Sequence, residues 1–232
     1  MSPESQISFR LAVVACSLFL GVQAAWLILP EIYRPRQVSW SENPAGAENA
    51  RQRGAAKRAA ALGIMRGDLW AALALTYRNI VAPNGMRQPA TGDELQEARS
   101  IARRALTMSP HDARVWLLLA GIEARTEEGT RRPNDRAAAA LKMAYYTGQN
   151  DLELAPVRLM VAVRPGVLAD REVQQLVRDE LSAIISSRAE IKSAVVAAYR
   201  QATPQAKSLI EEVVSVQDPD LLKSARSDAG MR

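Results

Sequence analysis

An uncharged run of apolar residues near the amino terminus constrains this chain more than any other feature. From Leu11 to Pro30 the sequence reads LAVVACSLFLGVQAAWLILP, without one charged side chain. At about 1.5 Å per residue, a helix of this length spans the hydrocarbon core of a bilayer, which is about 30 Å thick. Arg10 precedes the run, and Trp26 lies near its end, where an indole suits the membrane interface. The sequence therefore predicts a single transmembrane helix over residues 11–30.

A cleavable signal peptide is the alternative to a permanent anchor. Val22-Gln23-Ala24 approximates the small-x-small pattern at which signal peptides are cut. The apolar run continues past that point from Trp26 to Leu29, which makes it longer than a usual signal core. This extra length favours an uncleaved anchor.

One face of the predicted span carries small residues at four-residue spacing, namely Ser17, Gly21 and Ala25. Such a row allows two membrane helices to approach closely, so it could support a homodimer. Small residues are also common in membrane spans that do not associate. The row is therefore compatible with a dimer but does not require one.

Charge beside the span bears on orientation. Residues 31–67 carry seven basic and three acidic side chains, and the positive-inside rule alone would place them in the cytoplasm. The rule weakens for long domains, which are translocated largely regardless of charge. We expect a single-pass inner-membrane protein with most of its chain in the periplasm. The bases that could attract anionic lipid, or equally form an exposed helix face, are Arg51, Arg53, Lys57 and Arg58.

The remainder of the chain is predicted to be all-α. Apolar residues recur at three- and four-residue steps, and helix start signals include Thr91 with Glu94, Thr203 before Pro204, and Asp218 before a proline. No segment shows the alternation that is typical of a strand. The predicted organisation is an N-terminal tail at 1–10, the span at 11–30, a linker at 31–44, a helical domain at 45–226 and a C-terminal tail at 227–232.

Part of the helical domain repeats a pattern of large and small residues. Trp70-x2-Leu73-Ala74-x2-Tyr77 recurs 46 residues later as Trp116-x2-Leu119-Ala120-x2-Glu123, and each copy is followed by a second helix with closely spaced alanines. Large residues can fill the groove between two helices where small residues let them cross. The residues predicted to pack these helices together are Trp70, Leu73, Ala74, Tyr77, Ala98, Ala102, Ala105, Pro110, Trp116, Leu119, Ala120, Ala137, Leu141 and Ala144.

This pattern resembles the tetratricopeptide (TPR) repeat, a helix–turn–helix unit of 34 residues. The resemblance covers roughly residues 68–150, and it implies antiparallel helix pairs stacked as an α-solenoid. The chain departs from the family in its longer spacing and in the replacement of the family's aromatic residue by Glu123. A generic helical bundle is the alternative.

The anchor followed by helical repeats is similar in layout to membrane-anchored helical-repeat proteins of bacterial envelopes, including accessory proteins of surface-polysaccharide assembly. The stretch that carries this looser likeness is Tyr146-Thr147-Gly148, followed by Leu152 and Arg158. The likeness implies a scaffold that binds a partner protein within a membrane-associated complex for polysaccharide biosynthesis or export. Cytochrome-maturation chaperones and division-associated proteins share the same plan.

The TPR resemblance also implies a place for the partner. In that family the first helix of each pair lines a concave face that binds peptide segments. In this chain the corresponding row is rich in arginine, whose planar guanidinium suits a carboxylate or another anionic group. The row consists of Leu75, Arg78, Asn79, Arg114, Leu117, Arg125 and Arg158. The same arginines could instead bind a lipid headgroup or a glycan, or form solvated helix faces.

The sequence indicates a scaffold rather than an enzyme, with no metal or cofactor. One Cys and one His are too few for a thiolate zinc site or a multi-histidine site. Adjacent acidic pairs point about 100° apart on a helix, so they do not converge as general acid–base catalysis requires. His111 has no nucleophile motif beside it. Residues 68–232 carry a net charge of only +1, which argues against nucleic-acid binding.

Overall fold

The structure, a computed structural model, describes residues 3–34, 46–81, 90–126, 134–149, 151–187, 191–221, 223 and 226. Within these residues the chain is all-helical and contains no strand, as the sequence predicts. The α-helices are α1 (Pro3–Ile32), α2 (Gly46–Leu62), α3 (Gly67–Leu75), α4 (Gly92–Met108), α5 (Ala113–Thr126), α6 (Asp135–Thr147), α7 (Ala155–Ala162), α8 (Arg171–Ser187), α9 (Lys192–Gln201) and α10 (Pro204–Gln217). Short 3-10 helices cover Arg78–Ile80, Leu152–Leu154 and Val167–Ala169.

Helix α1 contains the predicted span and extends beyond it at both ends. Its stretch Phe9–Ile32 is the one helix in the described part of the chain that is long and apolar enough to cross a membrane. Large side chains such as Leu18 and Phe19 are exposed along it, whereas Pro30 near its end is buried where α1 contacts α2. The first two residues of the predicted linker are helical, and residues 35–44 of that linker lie outside the described residues.

Small residues allow the helices of the domain to approach closely. Alanines of α2, α4 and α6 are fully buried at helix crossings, where a larger side chain would hold the backbones apart. Among the residues predicted to pack the repeats, Trp70 and Trp116 are half-buried and Pro110 is exposed. The remaining members are buried: Leu73, Ala74, Tyr77, Ala98, Ala102, Ala105, Leu119, Ala120, Ala137, Leu141 and Ala144.

The helices contact one another in two interleaved series. Helix α3 packs against α2 and α4, and α5 packs against α4 and α6. Alternate helices also meet, because α3 contacts α5, α5 contacts α7, and α7 contacts α9. On the other side, α6 contacts α8 and α8 contacts α10. The helices from α5 to α10 are thus held both by neighbours in sequence and by helices two positions away.

A turn of the same construction recurs along one edge of the domain. We call residues 63–66 the first turn, residues 109–112 the second turn, and residues 148, 149 and 151 the third turn. In each, the first residue's N–H donates to the carbonyl four residues back, and the last residue's N–H donates to the carbonyl of the first. The helices joined by the first turn form the first unit (46–81), and those joined by the second turn form the second unit (92–126).

The two tryptophans make the same side-chain contact across these turns. Nε1 of Trp70 donates to the carbonyl of Ile64 at 3.2 Å, and Nε1 of Trp116 donates to the carbonyl of Pro110 at 2.7 Å. Both acceptors lie six residues before their donor. The two copies of the sequence pattern at a spacing of 46 residues therefore share the same turn and the same tryptophan contact.

Three predicted helix starts are confirmed by their caps. The hydroxyl of Thr91 accepts from the N–H of Glu94 at 3.2 Å, and the hydroxyl of Thr203 accepts from the N–H of Ala206 at 3.3 Å. The carboxylate of Asp218 accepts from a backbone N–H three residues later at 3.1 Å. These side chains satisfy donors that have no partner within their own helices.

Candidate functional site

Two of the residues predicted to face a ligand lie in the interior. Leu117 is fully buried within α5, and every side chain from there to Ala124 is also buried. Arg158 is 2% exposed on α7, which is enclosed in the same way from Val157 to Ala162. Neighbouring helices cover these parts of α5 and α7, so they do not line an open concave face. The prediction is corrected for Leu117 and Arg158.

Leu75, Arg78 and Asn79 of the predicted row lie at the end of the first unit, and Arg125 reaches that end from α5 of the second unit. Nη1 of Arg78, which is buried, donates to the carbonyl of Leu75 at 3.3 Å, and Nη1 of Arg125 donates to the carbonyl of Ile80 at 2.5 Å. The side-chain amide atoms of Asn79 are shielded from solvent and have no hydrogen-bond partner among the residues that the structure describes. The two arginines bond to main-chain carbonyls here, and Arg125 ties the first unit to α5.

Arg158 instead belongs to a buried polar network that joins α6, α7 and α8. Its Nε donates to Oε1 of Glu180 at 2.8 Å, and the hydroxyl of Tyr145 donates to Oε2 of Glu180 at 2.7 Å. The remaining guanidinium nitrogens donate to the carbonyls of Gly148 and Asp151 in the third turn, at 2.8 and 3.2 Å. Burial raises the pKa of Glu180, and the charge of Arg158 opposes that rise. The guanidinium of Arg158 and the carboxylate of Glu180 therefore already have hydrogen-bond partners inside the protein.

Two of the basic residues that follow the predicted span also form ion pairs within the protein. Nη1 of Arg53 lies 3.0 Å from Oε1 of Glu94, and Nζ of Lys57 lies 2.6 Å from Oε1 of Glu97, so both pair with α4. The guanidinium of Arg53 also stacks 3.8 Å from the ring centroid of Tyr77. Arg53 and Lys57 therefore hold α2 onto the next unit, which is an alternative use to binding lipid.

An open depression of about 970 Å³ lies between the second and third turns. It is lined by residues 108–114 of one turn region, and by 146–149 and Asp151 of the other. The recurring turns place these segments side by side, because Gly148 lies against Ala113 so closely that an added Cβ would be 2.5 Å from the Cβ of Ala113. Arg114 is the one member of the predicted row that contributes to this depression.

The depression combines charged groups, polar groups and one aromatic ring. The side chain of Arg114 is 43% exposed, and its Nη2 lies 3.4 Å from Oδ2 of Asp112. His111 and Gln149 are exposed at the rim, and 56% of Tyr146 is exposed while its hydroxyl donates to Glu172 on α8. A depression lined by both a guanidinium and an exposed ring offers hydrogen bonds and apolar contact, as in many protein interfaces.

A second charged cluster joins α1 to the first unit; we call it the junction. Nη2 of Arg66 lies 2.5 Å from Oε1 of Glu31 and 2.7 Å from Oδ2 of Asp68. Nη2 of Arg34 lies 3.2 Å from the same Asp68 oxygen. Hydrogen bonds from Arg66 lower the pKa of Asp68, and those to Asp68 and Glu31 raise the pKa of Arg66. Sequence reasoning missed this cluster, because its partners lie 35 residues apart.

The predicted dimer row lies on the exposed surface of α1. The hydroxyl of Ser17 donates to the carbonyl of Val13 at 2.8 Å, within the helix. A Cβ added to Gly21 would meet no atom within 4 Å, and Ala25 is exposed. The face is open, and the homodimer stays a prediction.

Comparisons of the chain with protein-family models, with curated proteins and with solved structures found no match. In the part of the chain that the structure describes, no group of three or more His, Cys, Asp or Glu side chains could hold a metal ion. A functional assignment therefore depends on the junction and on the depression between the second and third turns.

Proposed function

We propose that this protein is a membrane-anchored helical-repeat scaffold that binds a segment of a partner protein in the depression between the second and third turns. The single observation that carries the proposal is the depression itself. It lies along the edge of the domain whose first turn contacts the end of α1 through Arg66 and Glu31. A partner held there would be kept close to the membrane surface.

The recurring turns support a TPR-like stacking of the units. In such an arrangement the inter-helix turns of successive units lie along one edge, and alternate helices form two layers. The contacts of α3 with α5, α5 with α7, and α7 with α9 have this order. We place the binding surface at the turn edge rather than on the concave face, because α5 and α7 are enclosed.

The chemistry of the depression favours an acidic or mixed polar segment. Arg114 can reach an anionic group with the part of its guanidinium that Asp112 leaves open, and the ring of Tyr146 can cover an apolar side chain beside it. The alternative, an arginine-lined groove for a lipid headgroup or a glycan, has less support. Arg78, Arg125 and Arg158 already donate to carbonyls or to Glu180.

We further propose that α1 is an uncleaved inner-membrane anchor, that the domain lies in the periplasm, and that the partner belongs to envelope polysaccharide assembly. The length and exposure of α1 support the anchor. The side of the membrane is testable with a reporter fused to the carboxyl terminus that is active in one compartment only. Periplasmic activity is expected, and activity confined to the cytoplasm would contradict the placement.

A photo-crosslinking amino acid at Gln149 tests the depression as the binding site. In intact membranes of the native host, we expect a discrete crosslinked product from this position. A matched control at Ala139, an exposed residue of α6 outside the depression, is expected to give none. Mass spectrometry of the product then identifies the partner.

A second substitution makes the crosslinking experiment specific. Arg114→Glu reverses the charge that faces an anionic segment, so we expect it to remove the crosslink from Gln149 while the protein stays in the membrane. A crosslink that is equally strong at Ala139, or that is unchanged by Arg114→Glu, would overturn the proposed site.

A further inference from the structure

Two adjacent apolar side chains at the first turn are exposed. Ile64 is 50% exposed and Met65 is 88% exposed. Outside α1, the other large hydrophobic residues exposed in the described part of the chain are Tyr146 and Val216, which stand singly. A neighbouring pair of this kind at the tip of a turn is costly in water unless something covers it.

The fold of the turn does not require these residues. The second turn has the same backbone hydrogen bonds and the same tryptophan contact, yet Pro110 and His111 occupy the places of Ile64 and Met65. The tryptophan bonds to the carbonyl of Ile64, not to its side chain. The turn thus forms without an apolar pair, and the exposed side chains of Ile64 and Met65 are available for a contact outside it.

The junction fixes where the first turn lies. Arg66, the residue after Met65, contacts Glu31 at the end of α1 at 2.5 Å, and Asp68 contacts Arg34 at 3.2 Å. The uncharged run of α1 ends at Pro30, so Glu31 and Arg34 mark the level at which the helix leaves the hydrocarbon. Ile64 and Met65 are consequently held beside the membrane boundary.

We propose that Ile64 and Met65 insert into the interfacial region of the bilayer that α1 spans. The occupant is lipid from that bilayer, because the pair is joined through Arg66 to the end of the apolar helix. Arg66 directly follows the pair, and a guanidinium at this level can bind a lipid phosphate as well as the acidic residues of the junction. This inference depends on the proposed anchoring of α1, and it makes the first turn a second membrane contact.

Fluorescence quenching in vesicles tests the contact. The full chain is labelled with an environment-sensitive dye at native Cys16, at Met65→Cys or at His111→Cys, the last two in a Cys16→Ser background. It is reconstituted into vesicles of phosphatidylethanolamine and phosphatidylglycerol that contain lipids with a nitroxide on the acyl chain. We expect strong quenching at position 16, strong quenching with a blue-shifted emission at position 65, and neither change at position 111.

The three positions separate the possible failures. Quenching at 16 without quenching at 65 would overturn the inference and leave the anchor intact. Absence of quenching at 16 and 65 would overturn both, and equal quenching at 65 and 111 would show that the domain lies on the lipid without using this turn. Ile64→Asp is expected to reduce quenching at 65, whereas Pro110→Asp at the matching place is expected to leave it unchanged.

Discussion

At the place that Tyr77 occupies in the first unit, the second unit buries Glu123, and both side chains are almost completely hidden from solvent. The residue 24 positions earlier is arginine in both. Arg53 stacks its guanidinium over the ring of Tyr77, and Nε of Arg99 lies 3.0 Å from Oε1 of Glu123. The two units thus keep the cation and change its partner from an aromatic ring to a carboxylate.

The surface of the two units differs in a second way. Arg66 precedes Asp68 in the first unit, whereas Asp112 precedes Arg114 in the second, so the order of the charges is reversed. The turn accepts either order. In the first unit the order of the charges matches Glu31 of α1 and Arg34, two residues after that helix. The turn backbone is therefore the constant part of the two units, and its side chains differ with the neighbours of each unit.

In the helices after the second unit, a buried arginine again pairs with a carboxylate, here Arg158 with Glu180. Removing this arginine should give the largest loss of stability. Arg158→Met should cost about 3–5 kcal/mol of unfolding free energy at neutral pH, because it leaves a buried carboxylate without its cation. Burial already raises the pKa of Glu180, and the loss of Arg158 would raise it further. A group with a raised pKa stabilises the fold below its unfolded pKa, and that stabilisation is lost as pH rises through the folded pKa.

Urea unfolding of the full chain in detergent micelles, at several pH values, measures this loss. The difference between Arg158→Met and the wild type should shrink as the pH falls toward the ordinary pKa of glutamate. Arg178→Met is the matched control, since its partner Glu212 is mostly exposed. A loss for Arg158→Met that does not depend on pH would contradict the role given to Glu180.

Loss of Arg99, which pairs with Glu123, should lower the free energy of unfolding more than loss of Arg53, which stacks on Tyr77. Replacing Arg99 and Arg103 together by Ala leaves Glu123 buried and unpaired, so we expect a loss of about 3–5 kcal/mol. Arg53→Ala removes a stacking contact and a half-exposed ion pair, and the stacking contact is worth about 0.5–2 kcal/mol. Equal losses of unfolding free energy in the same assay would show that replacing the aromatic partner by a carboxylate does not change how much the arginine stabilises the unit.

Gly121 of the second unit provides a steric test of the contact with the first. A Cβ at this position would lie 2.3 Å from Cγ1 of Val81, so Gly121→Ala should cost about 1–3 kcal/mol. Leu75 holds the corresponding place in the first unit and is half-buried, which shows that the glycine is needed only where another segment crosses. Val81→Ala combined with Gly121→Ala should recover part of the loss, and no recovery would refute this explanation.

The tryptophan contacts test whether the two turns are equivalent. Trp70→Phe and Trp116→Phe each remove one hydrogen bond to a turn carbonyl, and we expect each to cost about 1 kcal/mol. Thermal unfolding of the two variants should give similar shifts of Tm. A large loss from one and none from the other would mean that the turns resemble each other in geometry but not in energy.

Exchanging the charges of the junction should have the smallest effect on stability. The double substitution Arg66→Asp and Asp68→Arg copies the order of the second unit, so the turn itself should fold normally. Like charges would then face Glu31 and Arg34, and α1 should separate from the domain. We expect Tm of the domain to stay close to that of the wild type, while the distance between spin labels at Cys16 and Ser208→Cys becomes widely distributed.

The helices and their caps could be predicted because their signals are local. Capping residues such as Thr91 act within three residues, and a helix face repeats every three or four. The burial of Leu117, a member of the predicted binding row, has a reason that the sequence also contains. Val115 to Ile122 includes no charged residue, and a helix that is apolar on all sides is buried rather than open to a groove.

The other site residues could not be predicted, because each bonds to a partner that is far away in the sequence. Nothing near Arg66 in sequence identifies Glu31 as its partner, and nothing near Arg158 identifies Glu180, 22 residues later on another helix. Such contacts follow from how the units stack, which residue spacing alone does not determine. The depression is of the same kind, because it exists only where Gly148 brings the third turn against the second.

The central claim is that α1 is docked on the first unit, so that α1 and the helical domain behave as one body. The most direct test is the distance between spin labels at native Cys16 and at Ser208→Cys, measured on the full chain in lipid vesicles. Docking through Glu31, Arg34, Arg66 and Asp68 predicts a single narrow distance distribution. A broad distribution in the wild type, as wide as that of the charge-exchanged variant, would contradict the account.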